Sequence, residues 1–378
     1  MSRPILLHKA PLYRPRILIA GSRRSGKSSI LHIVFRGLRD PGETLFIESN
    51  TKQQQVQQQQ QQPEDGWMGL GKNDVEHFMG FGLVDLPALV LNQTTGEDPE
   101  LDLLLGTTGT IIFVIDGQDD YGDSLARLND LVLRAYYISP RCQFEVFVHK
   151  VDGLSDDYKL DTLRDIQQRA MDELSDSSCM ARLNFYLTSI YDHTIFEAFS
   201  KVLQKQMPEL ATLEKICDLF SLQTKSLKAF LFESNSKIVL AQDPSPNEST
   251  ILEMASDLID LFVDFAGIYA SEPASPSAAG GAGGGAVVKL SANLVLYYKT
   301  VQSPVPRAEE MGRIQLVLVA LFESNALIQQ GLLDYNAMVF AESVRSVFQS
   351  SYSAIDRLDR RTKGHGHDDE VETVMSTG

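Results

Sequence analysis

The chain has 378 residues, which suggests two or three domains, and 43% of them are hydrophobic, enough for ordinary globular cores. Its 34 lysines and arginines stand against 50 aspartates and glutamates, a formal net charge of −16. This acidic balance excludes broad nucleic-acid binding and direct docking on anionic lipid, because both need a basic surface.

Residues 1–14 are expected to form an N-terminal segment outside the folded domains. The apolar run Ile5–Leu7 is too short for a secretory signal, and Ser2 stands where N-myristoylation requires glycine. The three cysteines are widely spaced, form no CxxC pair and do not occupy a C-terminal prenylation position. We therefore expect a reducing compartment and no direct membrane insertion.

Short apolar runs alternate with helical patterns over the first half of the chain. Strands are predicted at 16–20, 80–84, 110–115, 144–148 and 185–187, and helices at 28–38, 123–137, 160–174 and 195–206. Such alternation produces a mostly parallel sheet that helices cover on both faces. We therefore predict an α/β domain over residues 15–208. Within it, residues 52–76, which include a glutamine run, are predicted to be a disordered insertion in a surface loop.

Residues 209–355 show a different pattern, which predicts an α+β domain with an antiparallel sheet. Strands are predicted at 228–233 and 237–241, as a hairpin over 287–299 that turns at 291–293, and at 313–322, with helices at 251–270 and 333–348. The helix at 251–270 carries four acidic residues at helical spacing, which indicates a soluble amphipathic helix and not a membrane span. Residues 271–286 are predicted to be a flexible linker, and residues 356–378 a disordered tail.

Residues 21–28 match the phosphate-binding pattern G-x-x-x-x-G-K-S, between the first predicted strand and the first predicted helix. Glycines let backbone N–H groups curl around phosphate oxygens, and the helix that follows adds the positive end of its dipole. Lys27 would place its ammonium on the β- and γ-phosphates, and the Ser28 hydroxyl would complete a Mg²⁺ shell. The candidate phosphate-binding residues are Gly21, Ser22, Arg23, Arg24, Ser25, Gly26, Lys27, Ser28 and Ser29.

Two later motifs favour guanine over adenine. His149-Lys-Val-Asp152 follows a hydrophobic strand, where small GTPases place N-K-x-D, and an aspartate there accepts hydrogen bonds from guanine N1–H and its exocyclic amine. The stem of Lys150 would lie along the base. Ser189 and Ile190 follow the next strand, like the motif whose backbone N–H contacts the guanine oxygen. His149 is either a guanine-site residue or a packed histidine at the strand end, and the sequence favours neither.

Five segments of the chain together carry a family resemblance. They are Arg23–Ile30, Glu43–Ser49, Val114–Tyr121, Phe144–Asp157 and Phe185–Lys201. These segments closely resemble Rag GTPases of the RagC/RagD type, and histidine at position 149 is typical of that branch. The resemblance is dense from residue 16 to residue 206 and continues more weakly through residues 228–348.

The resemblance implies a Ras-like P-loop switch domain with GTP/GDP and Mg²⁺ as cofactors, followed by a roadblock/longin-like domain. It implies that this second domain pairs with a RagA/RagB-type GTPase in a heterodimer. A Ragulator-like scaffold would hold the heterodimer on the lysosomal or vacuolar membrane, so the chain itself would be cytoplasmic and peripheral. There it would relay amino-acid sufficiency to the target-of-rapamycin kinase complex.

The chain departs from the family in switch I. The family's threonine that binds Mg²⁺ falls on Asn50, and Thr51 stands one position later. An amide is a poorer Mg²⁺ ligand there than a hydroxyl, unless the loop shifts by one residue. The candidate metal ligands are therefore Ser28, Asn50, Thr51 and Asp85.

Switch II departs further, since residues 85–89 read Asp-Leu-Pro-Ala-Leu where the family reads D-x-P-G-Q. Ala88 replaces the glycine whose N–H approaches the γ-phosphate, and Leu89 replaces the glutamine that orients the attacking water. We therefore expect nucleotide binding with slow GTP hydrolysis, unless Gln93 takes the glutamine's place. A pseudo-GTPase scaffold with a structural nucleotide is the alternative, and Asp152 argues against an ATP-using enzyme.

Overall fold

A computed structural model of the chain describes residues 14–38, 40–44, 75–88, 98–246, 248–269, 285–301, 314–324 and 330–364. The described residues form two compact units. The first comprises Arg14–Gln206 with Asn235–Ile238, and the second contains the remaining described residues from Met207 onward. The predictions about Asn50, Thr51, Leu89 and Gln93 concern positions outside the described residues.

The first unit is a sheet covered by helices. Its strands are β1 (Arg16–Gly21), β2 (Val75–Phe78), β3 (Phe81–Asp85), β4 (Thr108–Asp116), β5 (Gln143–His149) and β6 (Leu183–Thr188). Its helices are α1 (Lys27–Val34), α2 (Pro99–Gly106), α3 (Gly122–Ile138), α4 (Asp156–Asp176) and α5 (Thr194–Gln206). The strand order is β2-β3-β1-β4-β5-β6, and every neighbouring pair is parallel except β2 with β3. The predicted α/β architecture is confirmed.

The central strands β1 and β4 are mostly apolar and buried because both faces of the sheet are covered. Alternate residues of β5 illustrate this, since successive side chains point to opposite faces. Val146 packs into a core with Phe113 of β4 and Ile166 of α4. On the other face Phe147 meets Phe199 of α5 edge to face, with ring centroids 5.3 Å apart. β5 therefore packs into a core on each face, which fixes its position in the sheet.

The sequence does not predict two elements of this unit. β2 pairs with β3 through a two-residue turn in which Met79 and Gly80 have φ values of 49° and 86°, the left-handed pair that tight hairpins favour. β2 begins at Val75, so the last two residues of the predicted insertion belong to a strand, and the rest of that insertion lies outside the described residues. The other element, α2, starts after Asp98, whose carboxylate accepts a 3.1 Å hydrogen bond from the Glu100 N–H.

The second unit is an antiparallel sheet with helices. Its helices are α6 (Leu210–Thr224), α7 (Ser249–Tyr269) and α8 (Gln330–Gly364). Its strands are β7 (Lys228–Glu233), β8 (Val239–Gln242), β9 (Gly285–Lys289), β10 (Leu294–Val301) and β11 (Leu316–Glu323). The strand order is β8-β7-β11-β10-β9, and all pairs are antiparallel. The predicted α+β class is confirmed, although α6 is absent from the sequence prediction.

The two faces of this sheet carry different helices. Leu258 and Ile259 of α7 pack in one core with Phe230 and Phe232, alternate residues of β7. α6 packs against β7 and β8 and also against α8. None of the helices in the described part of the chain combines the length and the apolar character that a membrane crossing requires.

Two predicted boundaries in this unit require correction. α8 runs to Gly364, so residues 356–364, predicted as disordered tail, are helical. β9 begins at Gly285 and therefore takes the last two residues of the predicted linker 271–286, because they pair with β10. Residues 271–284 and 365–378 lie outside the described residues.

A buried ion pair joins the first residue of β7 to the residue that follows β8. Lys228 and Asp243 are each 1% exposed, and the Lys228 Nζ lies 3.2 Å from the Asp243 Oδ1. Lys228 also donates to the carbonyl oxygens of Asp243, at 3.0 Å, and Ser245, at 2.5 Å. The Ala229 N–H donates to the Asp243 carboxylate at 3.1 Å. Both charges are thus satisfied by hydrogen bonds, as buried charges require.

Candidate functional site

The carboxyl ends of four adjacent strands bring the predicted motifs together. β1, β4, β5 and β6 are parallel neighbours, and their registers align Gly21 with Val114, Asp116 with His149, and His149 with Thr188. Loops that follow these strand ends must therefore meet at one edge of the sheet, which is where open α/β sheets bind ligands. The phosphate-loop motif and both guanine motifs occupy this edge.

The glycines of the phosphate loop are required by close approaches. A Cβ on Gly21 would lie 2.4 Å from the Val114 carbonyl oxygen, and the φ of Gly21 is +148°. A Cβ on Gly26 would lie 2.6 Å from Cδ2 of His149, and the φ of Gly26 is +103°. Both positions therefore exclude a side chain sterically and conformationally. Helix α1 begins at Lys27, directly after Gly26, so the loop leads into a helix N-terminus as predicted.

Lys27 lies over the start of this loop. Its Nζ donates to the carbonyl oxygens of Gly21 and Ser22, both at 2.9 Å. Burial lowers the pKa of Lys27, and the charge of Asp85 opposes that shift. The ammonium is thus held among the loop's oxygens, beside the positions where the motif places phosphate oxygens.

Two candidate metal ligands carry side-chain oxygens and lie beyond the end of β1 and at the end of β3. Ser28 is exposed in the first turn of α1. Asp85 is the last residue of β3 and is aligned with Ile19 of β1, two residues before Gly21. A hydroxyl and a carboxylate are the oxygen ligands that Mg²⁺ takes in nucleotide sites, so this pair fits the ion.

Helix α3 supports the phosphate loop through contacts that the motif does not indicate. The hydroxyl oxygens of Ser22 and Ser124 are 2.6 Å apart. Arg127, one turn along α3, donates to the same Ser22 hydroxyl at 3.4 Å. These residues are 102 and 105 positions from Ser22, so no local spacing predicts their role.

His149 is a packed residue that joins three segments of the site. It is 1% exposed, and its ring lies against Gly26 of the phosphate loop. Its Nδ1 forms a 3.0 Å hydrogen bond with the Thr188 hydroxyl at the end of β6. Burial, and next the charge of Lys150, lower the pKa of His149 to about 4, so the ring is neutral at physiological pH. The geometry favours the packed alternative, in which His149 positions the loop.

Lys150 connects the phosphate loop to the end of β4. Its backbone has a φ of 62°, and its Nζ donates to the Arg24 carbonyl oxygen at 2.7 Å. The same Nζ lies 2.5 Å from the Asp116 Oδ2. In the sequence Asp116 contributes only to the family resemblance, and nothing in its local spacing marks it as a partner of Lys150.

The two guanine motifs contact each other directly. The Ser189 hydroxyl donates to the Asp152 Oδ1 at 2.6 Å, and it accepts from the Tyr191 N–H at 3.1 Å. Ser189 is buried and Ile190 is half-buried. The Asp152 carboxylate is therefore oriented by the second motif.

Known proteins similar to this chain share one family. Residues 16–259 match the Gtr1/RagA G protein conserved region. The chain is 41% identical over 341 residues to Ras-related GTP-binding protein C of Homo sapiens, covering 89% of this chain and 77% of that protein. It is 38% identical over 342 residues to GTP-binding protein gtr2 of Schizosaccharomyces pombe, covering 89% and 98% respectively. The chain therefore belongs to the Gtr1/RagA family of G proteins, on the branch that contains RagC, RagD and gtr2.

Proposed function

We propose that the chain is a GTP/GDP-dependent binding switch, one subunit of a Rag-type heterodimer. The contact between Asp152 and Ser189 carries this proposal, because it orients a carboxylate at the edge of the sheet where the phosphate loop also lies. A carboxylate accepts from the N1–H and the amine of guanine, a donor pair that adenine lacks. Lys150 contributes its stem to the base, and Ile190 its backbone N–H.

The phosphate loop supplies the other half of the nucleotide site. Lys27 would exchange its carbonyl acceptors for β- and γ-phosphate oxygens, while the N–H groups of the first turn of α1 face the same anion. Ser28 and Asp85 would hold Mg²⁺, together with Asn50 or Thr51 from switch I. When bound, the ion neutralises charge on the phosphate oxygens.

We propose that GTP hydrolysis by this chain is slow. Ala88 lies three residues beyond the end of β3, where the family places glycine, and it is half-buried. A methyl group there crowds the approach of the backbone N–H to the γ-phosphate. Leu89 has no group that could orient water, and Gln93 is four residues too late in the chain to replace it directly.

The second unit supports a role in assembly. Its antiparallel sheet with helices on both faces suits a roadblock/longin-like domain that pairs with a RagA/RagB-type GTPase. We propose that a Ragulator-like scaffold places the heterodimer on the lysosomal or vacuolar membrane, where it signals amino-acid sufficiency to the target-of-rapamycin complex.

A base-swap experiment tests the guanine assignment. Asp152→Asn presents an amide donor, which matches the carbonyl that xanthine carries in place of the guanine amine. We expect this variant, purified with its RagA/RagB-type partner, to bind GDP roughly 100-fold more weakly and xanthosine diphosphate roughly 100-fold more tightly than the wild type. This is the size of a lost charged hydrogen-bond pair. Asp157→Asn is the matched control, since Asp157 is exposed. Unchanged base preference in Asp152→Asn would contradict the assignment.

Hydrolysis and switching are tested on the same heterodimer. Single-turnover GTP hydrolysis should be slow in the wild type, and a rate typical of ordinary small GTPases would contradict our reading of Ala88 and Leu89. A switch also requires partner affinity to differ between the GTP and GDP forms, because a ligand that both states bind equally shifts no equilibrium. Equal affinities would favour the alternative, a pseudo-GTPase scaffold with a structural nucleotide.

A further inference from the structure

Asp116, at the end of β4, contacts the lysine of the guanine motif. The Asp116 Oδ2 lies 2.5 Å from the Lys150 Nζ, and the same ammonium donates to the Arg24 carbonyl oxygen at 2.7 Å. Arg24 belongs to the phosphate loop and has a left-handed φ of 66°. One ammonium thus joins the base side of the site to the phosphate side, and Asp116 fixes where that ammonium lies.

Gln118 holds the backbone of the same lysine. Its Nε2 donates to the Lys150 carbonyl oxygen at 2.5 Å, and the Asp116 Oδ1 accepts from the Gln118 N–H at 3.0 Å. The neighbouring Gly117 N–H donates to the His149 carbonyl oxygen at 2.8 Å. Lys150 has a φ of 62°, a backbone conformation that residues other than glycine rarely adopt. The segment 116–118 therefore holds Lys150 at both its ammonium and its backbone.

We propose that Asp116 and Gln118 are positioning residues for the guanine nucleotide, acting through Lys150. This inference rests on the proposed nucleotide binding and assigns a role to residues that no motif identifies. Asp116 keeps the Lys150 ammonium on the Arg24 carbonyl, so that the aliphatic stem of Lys150 stays where it can lie along the guanine base. Gln118 keeps the Lys150 backbone left-handed, so that Asp152, two residues later, remains at its place.

A purely structural role would give a different pattern of effects. The side chain of Lys150 is 36% exposed and that of Asp116 is 19% exposed, so loss of this pair alone destabilises the fold little. The effect on bound nucleotide should be larger, because two loops that enclose the ligand would lose their common contact. An effect through Lys150 must also disappear when the Lys150 ammonium is removed.

The test measures release of a fluorescent GDP analogue from the full-length chain with its RagA/RagB-type partner. The variants are Asp116→Asn, Lys150→Met and the double variant, together with Gln118→Glu, which replaces a donor by a carboxylate of the same size. Asp119→Asn is the matched control, since Asp119 is exposed in the same loop and accepts a hydrogen bond from the N–H of its neighbour Asp120. Thermal melting in excess GDP checks that each variant is folded.

We expect Asp116→Asn and Gln118→Glu to release GDP roughly tenfold faster than the wild type, the size of a lost charge-assisted hydrogen bond. Asp119→Asn should match the wild type, and Asp116→Asn should add nothing in the Lys150→Met background. Unchanged release from folded Asp116→Asn and Gln118→Glu would overturn the inference, as would a full additional effect of Asp116→Asn in the double variant. A wild type that binds no guanine nucleotide would instead refute the proposed function itself.

Discussion

The buried imidazole of His149 makes the stability of the first unit depend on pH. Its ring is 1% exposed, lies against Gly26 and bonds to the Thr188 hydroxyl. Burial is the main reason that its pKa falls from 6.5 to about 4, and the neighbouring Lys150 ammonium lowers it further. The charges of Asp152 and Asp116 raise the pKa but do not offset these effects.

The direction of this pH dependence follows from whether the folded or the unfolded chain takes up the proton. Above the unfolded pKa of 6.5 the ring is neutral in both states and contributes no pH dependence. As pH falls from 6.5 towards about 4, the unfolded chain binds a proton that the folded chain does not, so stability is lost. At about pH 5.5, one unit below the unfolded pKa, the loss is about 1.4 kcal/mol, and it levels off at about 3 kcal/mol below the folded pKa.

Urea unfolding followed by circular dichroism, at about pH 7.5 and about pH 5.5, measures this loss. The lower pH stays above the isoelectric point of 4.9, where the chain would carry little net charge. His149→Asn is the control, because it removes the titrating group and keeps a polar side chain, the one that small GTPases carry at the start of N-K-x-D. The wild type should lose about 1.4 kcal/mol more than the variant between the two pH values. Equal losses in both proteins would refute the argument.

Two other predictions concern the tight contact at Gly26 and the buried ion pair of Lys228 and Asp243. Gly26→Ala should destabilise the first unit by about 3 kcal/mol and weaken nucleotide binding, because its Cβ meets the buried His149 ring and its φ is left-handed. Gly106→Ala, whose Cβ would make an ordinary 3.7 Å contact in α2, should change urea stability by less than about 0.5 kcal/mol. Lys228→Met should cost about 3–5 kcal/mol, since Asp243 stays buried without its cation, whereas adding Asp243→Asn should recover much of that loss in the same assay. Equal losses from the single and double variants would contradict this account.

The architecture of the first unit was predictable because buried parallel strands leave a simple trace in the sequence. β1 is a continuous apolar run from Ile17 to Ala20, and β5 is apolar from Phe144 to Val148 apart from Glu145, so their predicted positions are correct to within about two residues. β2 was missed because Val75–Phe78 alternates weakly and includes two polar residues, Glu76 and His77. α6 was missed although Pro208 separates it from the preceding helix, and its packing against β7, β8 and α8 shows it to be a separate element.

The site divides in the same way between local and long-range information. The residues at positions 21–28 form a contiguous motif, so one stretch of sequence specifies the phosphate loop. Asp116 and Lys150 are 34 positions apart, and Ser22 and Ser124 are 102 apart, so only the sheet order brings each pair together. The role of His149 could not be assigned from the sequence, because a histidine at the end of a strand is compatible with both a packed ring and a ligand-binding ring. Its contact with Gly26 favours the packed alternative.

The two lysines of the site have different tasks, as their acceptors indicate. Lys27 is bonded to Gly21 and Ser22 carbonyls, and a phosphate-binding role requires it to leave them. Lys150 is bonded to the Arg24 carbonyl and to Asp116, and the proposed nucleotide binding requires neither contact to break. We therefore propose that Lys27 exchanges its partners on nucleotide binding, whereas Lys150 keeps its own. We therefore propose that the two lysines serve nucleotide binding, whereas the departures at Ala88 and Leu89 affect hydrolysis, so that binding and hydrolysis are separable in this chain.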